Sequence, residues 1–206
     1  MAEREKKERL TSAPGIACFV HVFKPEVPGN GSTMKSKEPK YKLVLVWEPD
    51  SQETPEYKKM KKVCIAAAKA KWGDTEETVT KIKKRKIKMP WRPASDYGDE
   101  GYGFPFDVEG ATFANFSSTQ QPGVVDRKAR AIENESAFFS GCKARVTYSP
   151  WAYDRDGNRG VTLLLNNVQM IAKGDRLSGR PDAEDDFEPV EGEDGEDDDD
   201  LGDDDI

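Results

Sequence analysis

Apolar residues fall along the chain in short clusters separated by Gly, Pro and charged stretches, the spacing of a β-rich domain. Ile16–Phe23 is β-branched and aromatic and predicts a buried first strand. Lys24–Lys40 carries Pro25, Pro28, Gly29, Asn30, Gly31 and Pro39 and predicts a lysine-bearing loop. Tyr41–Glu48 predicts a second strand, with Tyr41, Leu43, Leu45 and Trp47 on one face and Lys42, Val44 and Val46 on the other. A helix follows, with Thr54 as N-cap, Pro55 in the first turn, an apolar stripe of Tyr57, Met60, Cys64, Ala67 and Ala68, and Gly73 as a left-handed cap. Asp74–Lys84 predicts a second short helix, acidic at its start and lysine-rich at its end, as the helix dipole favours.

Ala94–Pro105 reads as a Gly- and aromatic-rich loop, Gly110–Ser118 as the third strand and Gln120–Ser136 as a long connection. Phe138–Ser149 and Arg159–Ala172 are the last two strands, joined through a turn at Asp156-Gly157-Asn158. In the fourth strand Cys142, Ala144, Val146 and Tyr148 share the face taken as inward, which leaves Lys143, Arg145 and Thr147 outward. The expectation is a mainly β domain over residues 14–177, between a flexible N-terminus (1–13) and a disordered acidic tail (178–206).

The formal net charge of −7 conceals a split. Residues 181–206 hold 16 acids and no base, which leaves 23 acids (39 less 16) against 32 bases in the rest, a net +9. A basic body carrying an acidic tail suits a polyanionic partner for the body and self-competition by the tail. The 26 tail residues span up to about 85 Å extended and roughly 28 Å as a coil. Both exceed the body's radius of gyration of about 16 Å. Tethering raises the local tail concentration to about millimolar.

Other classes are disfavoured. No apolar run approaches the roughly 18–20 residues of a membrane span, and Met1–Leu10 is charged, unlike a secretory signal. Three dispersed cysteines (Cys18, Cys64, Cys142) and one histidine suit buried thiols in a reducing compartment, neither zinc nor a disulfide framework. There is no phosphate-cradling Gly-x-x-x-x-Gly-Lys and no Gly-x-Ser-x-Gly, and His21 sits in an apolar strand as a core or half-buried residue. The acids Asp96, Asp99, Glu100, Asp107 and Glu109 are scattered in a Gly-rich loop. No catalytic residue, cofactor or metal is expected.

Positive chemistry lies in cations interleaved with aromatics. Lys81, Lys83, Lys84, Arg85, Lys86 and Lys88 form a dense block, and Lys143 and Arg145 sit on an outward sheet face. Trp91, Tyr97, Tyr102, Phe116, Trp151 and Tyr153 lie near loops or strand ends. Cations neutralise phosphates and exposed rings stack bases, so these residues are the candidate nucleic-acid site. The lysines Lys58–Lys62 of the first helix read instead as a solvated face.

Four segments carry a family resemblance. They are Ile16–Pro25, Ala66–Gly73, the loop Gln121–Asp126, and Phe139-Ser140-Gly141-Cys142 with Tyr153–Val161, closing on Leu165-Asn166-Asn167-Val168-Gln169. With them the chain resembles phage-encoded single-stranded-DNA-binding proteins of the oligonucleotide/oligosaccharide-binding (OB) fold. The resemblance implies a five-stranded OB barrel with a helical insertion and a non-enzymatic role in phage replication, recombination and repair within the host bacterial cytoplasm. It also implies a tail that occludes the empty groove and recruits replication proteins such as polymerase or helicase–primase. The candidate partner-binding residues are Asp203, Asp204, Asp205 and Ile206, although such tails often end in an aromatic residue and this one stops at isoleucine. Duplex binding and a homodimer stay open, and a competing reading is a protein-interaction adaptor or acidic-tail chaperone without intrinsic DNA binding.

Overall fold

The computed structural model describes residues 10–27, 38–100 (backbone only at 98–100), 104, 109–155 and 157–177. In chain order the strands are β1 (Leu10–Thr11), β2 (Gly15–Glu26), β3 (Lys40–Trp47), β4 (Ile87–Lys88), β5 (Trp91–Pro93), β6 (Thr112–Ser118), β7 (Gly123–Val125), β8 (Lys143–Arg155) and β9 (Asn158–Ala172). Three helices, α1 (Pro49–Gln52), α2 (Pro55–Trp72) and α3 (Glu76–Lys83), lie between β3 and β4.

Five strands close on themselves. β2 pairs antiparallel with β3, β3 with β6, β6 runs parallel to β9, β9 returns antiparallel to β8, and β8 pairs back onto β2. That ring, with one parallel contact between its third and fifth strands, is the expected OB topology. The helical insertion falls between the second and third barrel strands. The alternation read in Tyr41–Trp47 holds for the inner face: Leu43, Leu45 and Trp47 are buried with Ala17, Phe116 and Leu163. Cys142, Ala144, Val146 and Tyr148 point into the same core.

Helix α2 closes one end of the barrel. Thr54 Oγ1 accepts from the Tyr57 amide at 3.4 Å, and Pro55 stands at the start, where its missing N–H costs nothing. The stripe Tyr57, Met60, Cys64 and Ala68 is buried in the barrel core. Tyr57 meets Trp47 edge-on at 5.3 Å and shares a 2.7 Å hydrogen bond with Thr112. Burying each large side chain of this stripe contributes about 1.5–3 kcal/mol, so α2 is held by packing rather than by its lysine-rich outer face. Gly73 ends it at φ 91, ψ 147, outside the left-handed helical region expected of it and in backbone space that favours glycine.

Several expected boundaries move. Leu10–Ala13 are not a free end. Leu10 and Thr11 pair with Tyr148 and Thr147, Ser12 exchanges hydrogen bonds with Val146, and the Ala13 carbonyl accepts from Trp47 Nε1 at 3.1 Å. The fourth barrel strand starts at Lys143 and runs on to Arg155. Phe138 and Phe139 precede it as buried anchors, and Gly141 breaks the run at φ 117. A Cβ there would strike the Asp175 carbonyl. β4, β5 and β7 are two- and three-residue strands that dock on β9 and β6. All three cysteines are buried, and burial pushes the Cys18 and Cys64 thiols up to about 12.

Candidate nucleic-acid interface

Strand register builds one continuous outer surface, because cross-strand partners share a face. Its first row is His21, Lys42, Ser117, Leu164 and Ser149, taken across β2, β3, β6, β9 and β8. On β9 and β8 the next two rows are Thr162 with Trp151, then Gly160 with Tyr153, extended to Lys88 on β4. A Cβ on Gly160 would lie 2.7 Å from the Tyr153 hydroxyl and 2.8 Å from the Lys88 carbonyl. Glycine therefore lets the tyrosine ring end settle across β9 towards β4. Trp151 is 47% exposed and Leu164 40%. They are an aromatic and an aliphatic plate on the outside of a barrel whose inside is closed.

Cations flank this surface at both ends. Lys143 and Arg145 project from the same side of β8 as Trp151 and Tyr153 and are exposed. Six residue steps, about 20 Å of strand, lead from Arg145 to Trp151. Arg145 Nε donates to Gln169 Oε1 at 2.8 Å, and Gln169 Nε2 donates to the Asp126 carbonyl at 3.1 Å. The guanidinium is thus held by a neutral acceptor and keeps its charge for an outside anion. The same glutamine brings in the turn 126–130, with exposed Arg127 and Lys128, which form no ion pair among the described residues. Within the turn, hydrogen bonds from the Arg130 amide, then its side chain, hold the Asp126 carboxyl below its usual range. Sequence reasoning missed this basic turn. Its charge run was visible, but only the pairing of β7 with β9 places it beside Arg145.

At the other end the Lys81–Lys88 block divides. Lys81 pairs with Glu77 at 2.7 Å and Arg85 with Asp96 at 3.3 Å. Lys83, Lys84, Lys86 and Lys88 are exposed with no ion pair among the described residues. Buried Ile87, paired with Arg159, pins the block beside the hairpin of β8 and β9.

Two predicted stacking residues are elsewhere. Phe116 is 0% exposed, enclosed edge-on by Trp47 at 6.2 Å and Tyr148 at 5.8 Å. It alternates inward from its position opposite Leu43, so no base can reach its ring. Trp91 is half-buried against the core under Lys61, whose Nζ lies 5.5 Å from its ring centroid. It pairs with Ala114, an inward residue, and turns to the α2 side. Tyr102 and the tail residues Asp203, Asp204, Asp205 and Ile206 lie outside the described residues.

A second aromatic group was hidden in the sequence. Phe19 stacks on Tyr97 at 5.3 Å, Tyr97 on Phe104 at 4.7 Å, and the Arg92 guanidinium lies 4.8 Å from the Phe113 ring centre. Phe19 sits in a bulge at φ 50 that shifts the register of β2 between Cys18 and His21 and re-aims its ring. Tyr97 stood among the candidate rings, whereas nothing in the local pattern signals a bulge at Phe19. Leu177, the last described residue, packs on this group.

Among the described residues no helix is long and apolar enough to cross a membrane, and no His, Cys, Asp or Glu group suits a metal ion. No curated protein matches the chain. The solved single-stranded DNA-binding protein from bacteriophage Enc34 in complex with ssDNA superposes with a TM-score of 0.65 at 16% identity, over 84% of this chain and 91% of that one. A second Enc34 structure gives 0.61 at 15% identity, over 89% and 92%. The single-stranded DNA-binding protein gp2.5 of bacteriophage T7 gives 0.56 at 18% identity, over 89% and 99%. At such identities these likenesses establish the fold. The family described as Enterobacter phage Enc34, ssDNA-binding protein, matches residues 16–201. The chain therefore belongs to the family of the Enc34 ssDNA-binding protein, a phage family of binding proteins rather than enzymes.

Proposed function

We propose that the protein coats single-stranded DNA without sequence preference, along the outer face of β8 and β9. The observation that carries this reading is the exposed Trp151 and Leu164 with half-buried Tyr153 beside them, flanked at both ends by cations that form no ion pair among the described residues. Rings stack any base, and Lys88, Lys143, Arg145, Arg127 and Lys128 take phosphates on either side. No base-reading helix is needed, which fits a role in phage replication, recombination and repair in the host cytoplasm.

The acidic tail competes for the same cations. Support comes from charge, −16 against +9, and from the place where the body hands over to it. Leu177 lies on the outer face of β2 with Phe19 and Tyr97, so the tail starts beside the groove it would occlude. Once DNA displaces it, the freed segment, ending in Asp203-Asp204-Asp205-Ile206, is available to replication proteins. Gel shifts with single- and double-stranded oligonucleotides, using the full chain and one lacking 181–206, test the reading. Salt-sensitive binding of single strands, tightened by the deletion, is expected. No binding by either form would favour the adaptor reading and end this one.

A further inference from the structure

β2 pairs with β8 only at Gly15 and Ile16. Beyond Ala17, which bonds with Gly141 and Cys142, the bulge at Phe19 turns the strand away, and the Val20 amide takes the Ser140 hydroxyl at 3.3 Å as its acceptor. A gap is left between the outer half of β2 and residues 135–140. It forms a cavity of about 440 Å³ closed at one side by Arg176, a size usual for small-ligand sites.

Its walls are of three kinds. Phe23, half-buried, supplies aromatic surface, and the Arg176 guanidinium, 4.0 Å from the ring centre of buried Phe139, covers that ring as a flat cationic plate. Lys24 stands at the rim, 2.8 Å from Glu135, with 79% and 54% of the two side chains exposed. So open a pair holds weakly and opens readily to a competing anion. His21 and the Ser140 hydroxyl supply polar groups, and burial, the largest influence on His21, lowers its pKa and favours the neutral ring. Flat apolar and cationic surfaces beside neutral hydrogen-bonding groups, with a cation at the mouth, suit a planar group carrying one negative charge.

Position identifies the source of that group. His21 lines this cavity and also heads the outer row that continues through Lys42 and Ser117 to Leu164. A strand lying on the Trp151 face and crossing the barrel along that row arrives at the mouth. We propose that the cavity takes one nucleotide of the bound single strand out of its stack, with the base against Phe23 and the Arg176 plate and its phosphate at Lys24. The inference rests on single-strand binding by this face. It adds a defined anchor, and hence a fixed register, at the β2 end of the path.

The test uses full-length protein at low salt and dT oligonucleotides with a single abasic residue moved along the strand. Ser136 is exposed on the cavity wall, so Ser136→Trp fills the space without entering the core. Arg176→Ala removes the plate and serves if the first variant does not fold. For wild type, one abasic position should weaken binding about 5- to 150-fold, the cost of a lost base–aromatic stack. Either variant should weaken the intact strand by a similar factor and become indifferent to that position. 5-Iodouracil there should cross-link to Phe23. Variants that bind like wild type with an unchanged abasic profile would overturn the proposal while leaving DNA binding intact. So would a flat wild-type profile combined with blockage of the cavity by a peptide of residues 181–206, which would make an acidic peptide its occupant. If wild type binds no single strand at all, the underlying reading fails instead.

Discussion

Replacing Trp151 by alanine separates the outer face from every other surface as the seat of DNA. The indole is 47% exposed. A tryptophan buries about 150–250 Å² when fully enclosed, so the covered half removes roughly 100 Å² from water. At about 25 cal/mol per Å² that is at most about 2.5 kcal/mol of fold stability, and less against a compact unfolded chain. The exposed half is free for a base, and losing that stack should weaken single-strand binding by about 1–3 kcal/mol, or 5- to 150-fold. Anisotropy of labelled dT oligonucleotides at several salt concentrations measures it, with circular dichroism to confirm folding. The indole carries no charge, so the slope of log affinity on log salt should stay unchanged while the intercept falls. Trp151→Phe keeps a ring and should recover most of the loss. A folded Trp151→Ala protein with wild-type affinity would refute the placement of the strand on β8 and β9.

Other expectations follow from the same geometry. Lys143→Ala or Arg145→Ala should weaken binding about equally for all sequences and reduce the salt slope by about one each, read from the same titrations. Phe116→Ala should cost about 3–5 kcal/mol of stability in urea denaturation; a loss of DNA affinity without loss of stability would contradict its burial. Removal of 181–206 should raise affinity most at low salt, and equal affinities there would dismiss occlusion. Burial raises the Cys18 and Cys64 thiols to about 12, so the unfolded chain loses these protons first. Their contribution to stability should be full below about pH 9 and fall as pH rises from there towards 12. Denaturation midpoints across that range check it, and thiol reagents at neutral pH should react only after unfolding.

Local pattern determined a great deal in this chain. Alternation in Tyr41–Trp47 and in Cys142–Tyr148 named the inward residues, and Thr54, Pro55 and the apolar stripe named α2, because period and capping are properties of neighbours in sequence. Charge segregation separated body from tail for the same reason. At Phe116 and Trp91 nearness to a loop suggests exposure, but cross-strand register turns both rings towards the core. The short strands β1, β4, β5 and β7 are too brief to show a period; they exist because longer strands offer them an edge. The outer face itself is a tertiary object. Lys42, Ser117, Leu164 and Trp151 lie far apart in sequence and meet only through cross-strand register. The proposed binding surface, made of one residue per strand, leaves no continuous motif, so its residue types were legible in the chain while their assembly was settled only by barrel closure and by the bulge at Phe19.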